Sequence, residues 1–140
     1  EGCLVCNIDL GLSSLLVAID HRLVGFIDFD YGRPVGRLFD IAVAVRHWAP
    51  FGDLDLVTGQ EPDRVRRFRL FCDVHELDYA ERRRVIDLAT SFLEQARRNI
   101  TELAAAGGAG FQTLHDNGYE ATNRATVAWL VDHTETWDTT

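Results

Sequence analysis

Residues 78–106 read DYAERRRVIDLATSFLEQARRNITELAAA. Val85, Ala89, Phe92, Ala96, Ile100 and Leu103 recur at spacings of three and four, the period of one apolar helix face. Arg82, Arg83, Arg84, Glu94, Arg98 and Glu102 fill the opposite face, and the arginine run reads as solvated. Glu94 precedes Arg98 by one turn, the better orientation for such a pair. Asp78 followed by Glu81 is an N-cap with its capping partner. Gly107-Gly108 supplies the stop. A helix over 80–106 runs about 40 Å. That is long for a single domain of 140 residues, so it is expected to kink or to reach past the core.

Helical patterns continue on both sides. Towards the C-terminus, residues 110–136 form a last helical region, with a break expected at Asn117-Gly118. Towards the N-terminus, Pro62 suits the first turn of a helix over 62–75. Residues 50–61, with Pro, two Gly and three acids, read as a loop. Residues 38–48, LFDIAVAVRHW, are almost continuously apolar. Ile41–Val45 alone could be a strand, but the length of the run and Pro50 after it favour a buried helix. Trp48, Trp129 and Trp137 read as core or interface residues.

The first 36 residues follow another period. Residues 3–6, 15–19 and 23–29 are short runs rich in Val, Ile, Leu and Phe, with Asp20-His21 as a turn between the last two. They read as short strands, the last two forming a hairpin. Residues 7–14 and 30–36 read as polar loops. The expected fold is mainly α, of the α+β kind, in one domain over 1–140. Residues 1–36 supply strands and loop, and 37–140 supply helices.

Composition narrows the chemistry. All 14 basic residues are Arg; the chain has neither Lys nor Met. Schiff-base chemistry and phosphate clamping by a lysine are therefore excluded within it. The missing Met suggests a processed chain or a piece of a longer one. A net charge of −8 argues against nucleic acid or an anionic membrane as the main partner. No apolar run approaches the length of a membrane span and no signal peptide is visible, so the default setting is the reducing cytoplasm. Three Cys do not make a disulfide framework.

The chemically dense stretch is residues 5–40. It carries VCNIDLGLSS over 5–14 and GFIDFDYGRPVGRLFDIA over 25–42. These segments resemble the aminoglycoside phosphotransferase family, kinase-like enzymes that phosphorylate small-molecule hydroxyls. The family's catalytic loop reads roughly V-x-H-G-D-x-x-x-x-N. An I-D-[FW]-[DEG] segment follows about 20 residues later, and then P-G-x-x-x-[YFW]-D-[LIV]-A opening a helix. The second and third segments match well and the first is altered. The likeness spans about residues 5–137, which corresponds to the family's C-terminal half. It implies a kinase-like C-terminal lobe lacking the N-terminal lobe that carries the nucleotide-binding strands and their Lys.

The resemblance assigns roles. Asp9 stands at the catalytic Asp that orients the attacking hydroxyl, and Asp28 at the Mg²⁺-binding Asp. Asp30 would assist the metal or face a substrate. Asn7 replaces the family His, Ile8 its Gly, and Ser14 the Asn that donates an oxygen to Mg²⁺. Asp40 corresponds to an acid that braces the catalytic loop or caps the helix. The implied cofactors are Mg²⁺, and ATP once an N-terminal lobe is supplied; the implied ligand is a small molecule. The absent lobe and the altered loop together imply that the 140-residue chain alone is inactive. Three alternatives stay open: Asp9 and Asp28 serve only as loop-capping carboxylates; the chain is a non-catalytic ligand- or partner-binding module; or the pocket has been turned to another acid–base reaction. Either the missing lobe or a symmetric homodimer would cover apolar faces left without packing partners.

Weaker motifs read as structure. Cys3 and Cys6 have C-x-x-C spacing, but residues three apart on a strand face opposite ways, so buried thiols are expected. Gly11-Leu12-Ser13 lacks the closing Gly of a nucleophile elbow. His21, His47, His75, His115 and His133 lack metal-ligand spacing. Asn99-Ile100-Thr101 is a glycosylation sequon by letters only, within a helix.

Overall fold

The computed structural model describes residues 4–7, 11, 14–30, 32–49 and 64–132. Within them the chain is mainly helical, with a small antiparallel β region at the N-terminal end. Four strands come first: β1 (Leu4–Cys6), β2 (Leu15–Val17), β3 (Leu23–Phe26) and β4 (Arg33–Val35). Five helices follow: α1 (Arg37–Trp48), α2 (Arg64–Val74), α3 (Tyr79–Ala105), α4 (Ala109–Asp116) and α5 (Tyr119–Asp132). The expected loop at 50–61, Pro62, His133 and Trp137 lie outside the described residues.

β2 and β3 form the expected hairpin, with Leu15 opposite Phe26 and a register shift between Leu16 and Val17. The turn is closed by Ala18 N–H on the Arg22 carbonyl at 2.9 Å, and His21 takes a left-handed φ of 63°. The sequence reading of 30–36 as loop needs correction. Residues 33–35 pair with β1, Val5 lying opposite Pro34. Proline within a run argues against a strand, but a two-stranded sheet is all edge, where a missing N–H is tolerated. The pairing sets β1 beside the start of α1.

The capping box forms as expected. Glu81 N–H donates to Asp78 Oδ1 at 2.8 Å, and Asp78 N–H donates to Glu81 Oε2 at 3.1 Å. From there α3 runs 27 residues. Val85, Ile86, Ala89, Leu93, Ile100 and Ala104 are buried along it, so its far end is covered rather than projecting. α1, α4 and α5 all pack against it. The helix ends as Gly107 turns left-handed at φ 87°, and Gly118 at 77° separates α4 from α5; neither conformation suits a residue with a Cβ.

The main core joins Ile41, Ala42 and Val45 of α1 with Phe68 and Cys72 of α2, the inward face of α3, and Leu130 of α5. Burial therefore decides for the helical reading of Ile41–Val45. It also pushes the Cys72 thiol up to about 11, against the pull of Arg82. Arg82 departs from the solvated-face expectation. Its Nε donates to the Leu77 carbonyl at 2.9 Å and its Nη2 to Asp73 at 2.7 Å, tying the end of α2 to the start of α3. Arg37 adds a second tie, donating to the His75 carbonyl and lying 3.8 Å from Glu81. Among the described residues no helix is long and apolar enough to cross a membrane.

Candidate functional site

β1 ends at Cys6 and Asn7, and both are buried. A second, smaller apolar cluster holds this point: Cys6 and Val43, with Val35, Phe39 and Phe92 around them. The Phe39 and Phe92 rings meet edge to face, 5.9 Å between centroids, and the Arg46 guanidinium lies over Phe92 at 5.4 Å. Asp40, in the first turn of α1, lies close enough to the Cys6 thiol to act on it electrostatically. Burial first, and then this carboxylate, push the thiol upward, so Cys6 stays protonated and unreactive.

Asn7 makes the central link. Its Nδ2 donates to the Asp28 carbonyl at 2.9 Å and reaches the Ile27 carbonyl at 3.5 Å. The exit of β1 is thereby fixed to the segment after β3. Asp28 sits there with φ 65°, in the left-handed region that aspartate enters more readily than most residues. Its carboxylate side is exposed, as is Asp30 two residues on. Ser14 is buried at 2% exposure, and its carbonyl accepts from Ile27 N–H at 2.9 Å. The base of the hairpin is thus tied to the same segment.

The structure brings together three of the positions read from the sequence. Asp28 and Asp30 lie on one exposed turn, and Ser14 is sealed beneath it. Asp9, the expected catalytic residue, lies outside the described residues, as do Ile8 and Cys3. Among the described residues, no three His, Cys, Asp or Glu side chains converge into a metal-holding group.

Two residues at the site carry roles that the sequence did not announce. Asn7 read only as a departure from a family pattern, yet its amide anchors Asp28. The available signal was an amide side chain at a strand end, able to bond two carbonyls. His47 was one of five scattered histidines. Its ring packs on Gly11, where an added Cβ would come within 3.2 Å of Nδ1, and its Nε2 lies 2.7 Å from Arg46 Nη2. Arg46 also donates to the Tyr119 hydroxyl at 3.2 Å, so Gly11 is backed by α1 and, through it, α5. No family model, curated protein or solved structure matches the chain.

Proposed function

We propose that the chain is the C-terminal lobe of an aminoglycoside-phosphotransferase-like protein. The class reaction is ATP- and Mg²⁺-dependent phosphorylation of a small-molecule hydroxyl. The observation that carries this reading is Asp28. An uncommon backbone conformation, pinned by a buried amide, sets a carboxylate out to solvent beside the exit of β1. Left-handed backbone at a non-glycine costs on the order of 1–2 kcal/mol.

The donor set fits a hard cation. Mg²⁺ is commonly held by one or two carboxylates, with phosphate and water oxygens completing its shell. Asp28 and Asp30 would supply the carboxylates; buried Ser14 would act through its place under the turn. When bound, Mg²⁺ neutralises charge on the phosphates. Asp9, two residues past the Asn7 anchor, would hold the attacking hydroxyl in line and accept its hydrogen bond. The lysine that clamps phosphates must come from a second lobe, because this chain has none. The free, buried thiols of Cys6 and Cys72 fit a reducing, cytoplasmic setting.

Calorimetric titration with Mg²⁺-ATP tests the proposal. We expect binding in the millimolar range, absent from Asp28→Asn, and no turnover by the 140-residue chain alone. A flat titration to roughly 10 mM, weaker than about 3 kcal/mol of binding, overturns the reading. That outcome would favour a non-catalytic module, which has one observation of its own. Asn7 and Ser14, at two altered family positions, are both buried and bonded into the scaffold.

A further inference from the structure

Between them α3 and α5 enclose a cleft that the proposed reaction leaves unused. It holds about 190 Å³ and is lined by Leu93, Glu94, Arg97, Asn123, Arg124 and Val127. Asn123 is 5% exposed, and its Nδ2 is fully buried with no hydrogen-bond partner. An amide left so costs about 1–3 kcal/mol, and asparagine is a poor helix former in the middle of α5. The cleft therefore lacks an acceptor that an occupant can bring.

Charge narrows the occupant. Arg97 Nη1 lies 3.2 Å from Glu120 Oε1, and Arg124 donates to the same oxygen. Glu94 is matched by Arg98 at 4.0 Å. Two guanidinium groups on one carboxylate leave one positive charge uncompensated. Leu93 and Val127 supply apolar wall. Glu94 in the lining, and Glu120 bonded to both arginines, disfavour a dianion. At about 30 Å³ per water-sized group, the space takes roughly six non-hydrogen atoms.

We propose that this cleft binds a short aliphatic monocarboxylate, of propionate or butyrate size. Its carboxylate accepts from the Asn123 amide and the Arg97 guanidinium, and its chain lies against Leu93 and Val127. The proposal is independent of the phosphotransferase reading.

The test is a titration of the 140-residue chain with propionate, followed by ¹H–¹⁵N spectra and thermal unfolding, beside matched sodium chloride and 1-propanol. Propionate should shift the Asn123 side-chain amide and the Arg97 Nε–H saturably and raise the unfolding midpoint. Chloride and propanol should do neither. Asn123→Leu should bind about tenfold more weakly or not at all, the cost of one hydrogen bond to a charged group. Asn123→Asp, which replaces the donor by a like charge, gives the same contrast should the Leu variant fail to fold. Shifts that track ionic strength, or that persist unchanged in the variants, overturn the proposal. So does the absence of any shift, which would make the cleft a water site.

Discussion

Asp28 combines an exposed carboxylate with a left-handed backbone. Its left-handed backbone is secured by the Asn7 amide on its carbonyl. Glycine relieves that backbone without touching the hydrogen bond, since the acceptor is a main-chain oxygen. Asp28→Gly should therefore leave stability unchanged or raise it by up to about 1 kcal/mol in urea unfolding, while abolishing Mg²⁺-dependent binding. Asp28→Val, β-branched and intolerant of positive φ, should lower stability by more than 1 kcal/mol. Equal stability of the Gly and Val variants would show that the turn relaxes and that no strain is kept for the carboxylate.

At the scale of elements, α3 organises the helices and its N-terminus is its best-defined end. Asp78 and Glu81 bond each other's backbone amides, and Arg37 reaches Glu81 from α1. Asp78→Ala should cost about 1 kcal/mol in urea unfolding. Amide exchange should quicken first at Ala80–Arg82, leaving Ile100–Ala104 protected. A uniform rise along α3 would place the helix's stability in its packing alone. The helices were legible in the sequence because they carry local signals: period, cap and glycine stop. β4 was not, since a strand with Pro34 at its centre has no local signature and exists only because β1 pairs with it. The candidate site divides the same way. Asp28 and Asp30 were legible as paired acids in a motif, and the structure shows both exposed. The Asn7 anchor, the Asp40 contact with Cys6 and the His47 packing on Gly11 join residues 20 to 36 positions apart, which no local pattern encodes.

The whole molecule has a well-buried helical end and an under-covered β end. Leu23 and Val24 are 49% and 61% exposed, and Leu16 and Val17 are 44% and 54% exposed. Neighbouring strand residues face opposite ways, so both faces of the β2–β3 hairpin are bare. With Ile19 and Phe26, six large apolar side chains present on the order of 100 Å² each, shared between the two faces. A two-stranded hairpin is at best marginal without cover. In the proposed reading a second lobe seats on this face. For the 140-residue chain alone, the cover available is a second copy. Multi-angle light scattering over micromolar concentrations should therefore show a mass rising from one chain towards two. The double variant Val24→Thr/Leu16→Thr, which keeps or raises strand propensity while shedding apolar area, should stay at one chain. Its helical unfolding should be unchanged, because neither residue belongs to the main core. A wild-type chain monomeric throughout, with the hairpin amides protected from exchange, would mean that the hairpin holds itself without cover.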